Sequence, residues 1–151
     1  MIALRPGWLI ALCAAILAVS VWLPWLTTSA EGGGHASAIG GTGGSIELPP
    51  RFGAGQLIVL LASTLLVAGA MAARGIWSRW ASGAAVALSL GIVGLIAWYY
   101  HLNVHPPVSA GYGWYGAAVA AAGAVPAALW SLIEALRLPR AGRRGSGAGN
   151  W

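Results

Sequence analysis

Residues 54–73 read AGQLIVLLASTLLVAGAMAA and residues 81–100 read ASGAAVALSLGIVGLIAWYY, two apolar runs of twenty residues without a single Asp, Glu, Lys or Arg, joined by RGIWSRW at 74–80. A helix of about 20 apolar residues crosses a hydrocarbon core of roughly 30 Å. A linker this short leaves the two runs one arrangement, an antiparallel hairpin. Trp77 and Trp80 in the linker, and Trp98, Tyr99 and Tyr100 at the far end, fall where interfacial aromatic belts lie.

Working outward from this hairpin, a further apolar block precedes it at Trp8–Leu26 and another follows at Trp114–Leu136. The chain is therefore expected to be an all-α membrane protein, a four-transmembrane-helix antiparallel bundle with spans at 8–26, 54–73, 81–100 and 114–136. Composition agrees: 58% of the 151 residues are hydrophobic and 7% charged, against roughly 45–50% and 25% in soluble domains. For the first block a secretory signal peptide is the rival reading, since a short basic start precedes it and Thr28-Ser29-Ala30 passes as a cleavage site. The length and the Trp-Leu-Pro-Trp ending favour a retained span. Leu12 before Cys13 does not suit a lipoprotein box.

The connecting loops, 27–53 and 101–113, are polar, and the first is rich in Gly, Ser and Thr. Little stable structure is expected there, with β-character confined to Ser45–Leu48. Residues 137–151 form a basic tail with no apolar periodicity, expected to be disordered.

Orientation follows from arginine, which supplies all eight basic residues. With both termini cytoplasmic, Arg5, Arg74, Arg79, Arg137, Arg140, Arg143 and Arg144 lie inside and only Arg51 outside, as the positive-inside rule requires. Glu31, Glu47 and the three histidines then collect on the outer face. The expected location is the cell (plasma) membrane. Arg137, Arg140, Arg143 and Arg144 are placed to meet anionic lipid. The formal charge of +5 carries no basic face interleaved with readers, so no nucleic-acid partner is expected.

Helices in lipid associate by close approach at small side chains. Gly83, Ala87 and Gly91 in the third span, and Gly116, Ala120 and Ala124 in the fourth, recur every four residues and are expected to meet inside the bundle. Pro126 is expected to kink the fourth span.

The spans offer little chemistry. None has an ionisable residue near its centre, where a proton or ion path would need one. Glu134, near the inner boundary and three residues before Arg137, reads as a locally paired surface acid. A single cysteine, Cys13, rules out an internal disulfide or redox pair. The chain contains no aspartate, and Ser63, Thr64 and Ser89 have no basic partner at depth. No catalytic constellation and no cofactor are expected. The sharpest competing hypothesis is a metal site in which His101 and His105, four residues apart, share one side of a continued helix and His35 adds a third ligand. Pro106-Pro107 biases His105 toward extended backbone, against that helix.

Pro24-Trp25-Leu26-Thr27, Phe52-Gly53-Ala54-Gly55-Gln56 and Gly111-Tyr112-Gly113-Trp114 together resemble the small four-span conserved membrane proteins common in mycobacteria and related actinobacteria. That resemblance implies a cell-envelope membrane protein and supplies no catalytic residues. The expectation is thus a non-enzymatic accessory or scaffold subunit, whose partners are the lipid bilayer and other membrane subunits or a second copy. A small oligomeric transporter or channel component is the alternative. An outer-face metal-binding protein comes third.

Overall fold

The structure, a computed structural model, describes residues 5–29, 32–44, 53–104, 106 and 108–137. Four helices dominate: α1 (Pro6–Ser20), α2 (Ala54–Ala73), α3 (Ser78–Asn103) and α4 (Tyr112–Arg137). Four short strands lie between them: β1 (Pro24–Thr28), β2 (Gly34–Ser37), β3 (Thr42–Gly44) and β4 (Val108–Ala110).

Helices α2, α3 and α4 are long and apolar enough to cross a membrane, compatible with an integral membrane protein. Helix α1 is shorter than expected, with 15 residues and an axial length of about 22 Å. Instead of running to Leu26, it stops at Ser20 and the chain turns into β1. The reason is local. Pro24 has no N–H to give a helix and disfavours helical backbone at Leu23. The buried Trp25 indole folds back and donates to the Ser20 carbonyl at 2.9 Å, satisfying one of the acceptors a helix end leaves open.

The α2–α3 connection is equally specific. Gly75, at φ 74°, allows a Schellman cap in which Gly75 N–H donates to Ala72 and Ile76 N–H to Met71, at 3.1 and 3.0 Å. Trp77 follows in the left-handed region at φ 48° and ψ 40° and caps α3. A side chain there costs about 1–2 kcal/mol.

Each helix packs antiparallel on two neighbours, closing a ring in the order α1, α2, α3, α4. The tightest crossing joins α1 to α2. A Cβ on Gly69 would come within 2.9 Å of the Ala11 nitrogen, and one on Gly7 would collide with the Ala73 and Gly69 backbones. On α4, Gly113 lies under Trp25 of β1, while Gly116 lies beside Ser20 and Gly123 beside Cys13 of α1. Between α3 and α4, Ser82 and Ser131 share a buried hydrogen bond of 2.8 Å, and Arg79 Nε donates to the Ala135 carbonyl at 3.1 Å. The core is narrow, with Ala14, Ala62, Ala85, Ala121 and Ala128 spaced among Ile10, Leu17, Ile58, Leu65 and Ile92. Small residues let the backbones approach, which is how helices cohere in lipid. The exterior carries Leu12, Leu60, Val67, Leu90, Val119 and Leu129.

The described residues of the connecting loops hold more regular structure than their composition suggests. They join into one antiparallel sheet of order β3-β2-β1-β4, with β1, β2 and β3 lying before α2 and β4 before α4. Leu26 pairs with Ala36 and with Ala110, Thr27 with His35 and with Ser109, and His35 with Gly43. The register shifts between Pro24 and Leu26, and Trp25 at that irregularity is buried. There it meets Tyr99 of α3 edge-on, with ring centroids 5.1 Å apart. Ser45–Leu48, where β-character was expected, lies outside the described residues.

Candidate functional site

The two ends of the helix ring differ in chemistry. At one end lie Arg5 before α1, Arg74 after α2, Arg79 in the first turn of α3 and Arg137 closing α4. The opposite end carries the sheet. Arg140, Arg143 and Arg144 lie outside the described residues.

Across the sheet, Ser109, Thr27, His35 and Gly43 form one row on successive strands. The Thr27 and Ser109 hydroxyls are 3.1 Å apart. His35 is exposed, and its ring covers Gly43 so closely that a Cβ there would lie 2.6 Å from His35 Cε1. His101 is exposed in the last turn of α3. The helix ends at Asn103, whose side-chain amide donates to the Tyr99 carbonyl at 2.9 Å, so it stops two residues short of His105. His105 lies outside the described residues. Among the described residues no group of three or more His, Cys, Asp or Glu side chains gathers as a metal site requires.

The small-residue stripes are turned differently from expectation. Gly83, Ala87 and Gly91 do not face α4. A Cβ on Gly83 or Gly91 would meet nothing within 4 Å, and Ala87 is exposed. On α4, Ala120 and Ala124 are buried, while Gly116 looks toward Ser20 of α1. The inward face of α3 is Ser82, Ala85, Ser89, Ile92, Ile96 and Tyr99, a run of alternating three- and four-residue steps. Two serines lie on this inward face beside its apolar residues. Ser82 finds Ser131 in the interior, and Ser89 bonds back to the Val86 carbonyl at 3.0 Å.

The outward face of α3 has its own pattern. Trp80, Ala84, Ala87, Gly91, Gly94 and Trp98 recur at steps of three and four, all exposed. The two tryptophans are eighteen residues apart on this helix, about 27 Å along its axis, close to a hydrocarbon thickness of roughly 30 Å. Other exposed aromatics fall toward the two ends of the helices: Trp8, Trp77 and Trp130 toward the arginine end, and Trp22, Tyr100, Tyr112 and Tyr115 toward the sheet end. Between the two tryptophans, α3 offers a smooth strip of Ala and Gly that a second helix can approach closely.

Beside this strip an apolar groove of about 450 Å³ runs between α3 and α4, lined by Leu90, Val93, Ile96 and Ala97 on one side and by Trp114, Ala122 and Pro126 on the other. Trp114 lines it toward the sheet end, its ring tilted against Tyr100 at 4.8 Å and edge-on to Tyr115 at 5.1 Å. Pro126 sits inside α4 without interrupting it and has no N–H to give the Ala122 carbonyl. Glu134 accepts a 3.1 Å hydrogen bond from the Trp130 indole one turn earlier, a partner not foreseen beside Arg137.

This arrangement presents lateral apolar surface and polar ends. The outward strip of α3 escaped the sequence reading, although Ser82 and Ser89 on the opposite face carried the signal. Comparison with protein-family models, with curated proteins and with solved structures finds no match.

Proposed function

We propose that this chain is a multi-pass protein of the cell membrane that crosses the bilayer four times with both termini on the cytoplasmic side, and that it serves as a non-enzymatic accessory or scaffold subunit. The observation that carries this reading is the outward face of α3. Ala84, Ala87, Gly91 and Gly94 form one exposed row of small residues on α3, flanked by the exposed Leu90 and Val93 and framed by Trp80 and Trp98 near its two ends. In lipid such a face is where another helix docks, either from a different membrane subunit or from a second copy.

The gathering of Arg5, Arg74, Arg79 and Arg137 at one end supports an orientation with that end inside. Retention of α1 is supported by its buried residues, because Ile10, Ala14 and Leu17 belong to the core that α2 and α4 share. Cleavage after Ala30 would remove them. Purification from the native membrane tests the reading. A defined partner, or a second copy, should co-purify with the wild-type chain and be lost from Gly91→Phe. Recovery of both chains alone would contradict it.

A further inference from the structure

The α2–α3 turn joins three features that the helix-docking face does not use. Arg74, the C-cap of α2, is exposed. Arg5 comes to the same place from the start of α1, its Nη1 donating to the carbonyl of Ala73 at 3.1 Å. The Arg5 guanidinium and the exposed residue Arg74 therefore share the C-terminal end of α2. The only acid among the described residues, Glu134, accepts a hydrogen bond from Trp130 on α4. Beside the pair, the turn pushes out Ile76, 47% exposed, and Trp77, 74% exposed. Trp77 does so from a left-handed backbone, φ 48°, at the N-cap of α3. Water does not reward an exposed indole. The headgroup region of a membrane does.

From this charge complementarity we infer that Arg5 and Arg74 hold the phosphate of an anionic phospholipid, with Ile76 and Trp77 inserted beside it at the glycerol level. Guanidinium groups match phosphate oxygens in geometry and charge. Basic side chains interleaved with Trp and Ile are the pattern by which a surface segment seats itself among anionic lipids. The inference rests on the membrane reading above and adds a lipid preference to it. Trp130 and Arg137 on α4 lie outside this pair and are not required.

The test is retention of lipid by the full chain, reconstituted in vesicles of mixed phosphatidylcholine and phosphatidylglycerol, extracted mildly, and weighed by native mass spectrometry. Wild type should keep phosphatidylglycerol in preference to phosphatidylcholine. The Arg5→Gln/Arg74→Gln double variant should lose that preference by about tenfold or more, as expected for two basic groups at an anionic surface. Trp77→Gly should weaken it while folding normally, because glycine accepts the left-handed backbone. Equal retention in wild type and the double variant would overturn the proposal. So would displacement of the lipid by inorganic phosphate in the same preparation, which would make this a site for free anion, or capture of a soluble protein through Trp77 with no lipid preference. Alkaline extraction separates the two levels of failure. Release of the chain from vesicles sinks the membrane reading, whereas a chain that stays embedded without lipid preference sinks this inference alone.

Discussion

Ser82 Oγ and Ser131 Oγ lie 2.8 Å apart in the interior between α3 and α4, and this contact marks the face of α3 that is turned into the bundle. With Ser82 inward, Ser89, Ile92, Ile96 and Tyr99 follow it into the core. The glycines of the same helix point out.

The serine pair should show the asymmetry of buried hydrogen bonds. Removing one hydroxyl strands the other, so Ser82→Ala or Ser131→Ala alone is expected to cost about 1–2 kcal/mol, and the double variant little more than either single one. Unfolding in mixed detergent micelles, run as a double-mutant cycle, measures the coupling. Strict additivity would mean that the hydroxyls do not depend on one another.

Glycines of the two helix faces should behave oppositely. Gly69→Leu forces a side chain into the Ala11 and Ile10 backbone and side-chain atoms about it, and is expected to cost about 3 kcal/mol or more, if the chain folds. Gly91→Leu meets open space and should leave stability in detergent within about 0.5 kcal/mol. Thermal unfolding of the two variants side by side checks both.

Trp25 anchors the sheet to the helices through its indole N–H on Ser20 and its edge contact with Tyr99. Trp25→Phe keeps a ring and loses the donor, leaving the Ser20 carbonyl with the Leu23 N–H at 3.1 Å as its remaining partner. The expected cost is about 1 kcal/mol. Hydrogen exchange should locate the loss: faster exchange in β1 and β2, with α2 and the middle of α3 unchanged. Uniform acceleration through all four helices would contradict the anchoring role.

Relief of backbone strain should be visible at the α2–α3 turn. Trp77→Gly is expected to raise stability in detergent by about 1 kcal/mol, since the left-handed conformation no longer opposes a side chain. A drop in stability of similar size would show that the indole makes contacts worth more than the strain.

Much of the helical frame was legible because hydropathy over twenty residues is a strong and local signal. Helix α2 runs over Ala54–Ala73, the bounds that its apolar block and Arg74 predict. What the sequence hid was set by contacts between distant residues. Leu23, Pro24 and Trp25 are apolar and read as span, yet the proline and the indole's bond to Ser20 end the helix there. His35 and Gly43 pair across a hairpin rich in glycine, where the low β-propensity of glycine is offset by the neighbouring imidazole covering it. The rotation of α3 was also hidden, because glycine spacing marks a smooth face without saying which neighbour it meets. Buried serines answer that question. In a core supplied mostly by alanine, Ser82 and Ser89 were better guides to the inside than Gly83 and Gly91.

The central claim, that the outward Ala and Gly strip of α3 docks another membrane helix, is tested most directly by photo-crosslinking in the native membrane. A photoreactive residue is placed at Gly91, and a second chain carries it at Leu60, which is 63% exposed on α2. One discrete protein adduct is expected from Gly91, to a partner subunit or to a second copy, and only lipid adducts from Leu60. Lipid adducts alone from both positions would contradict it.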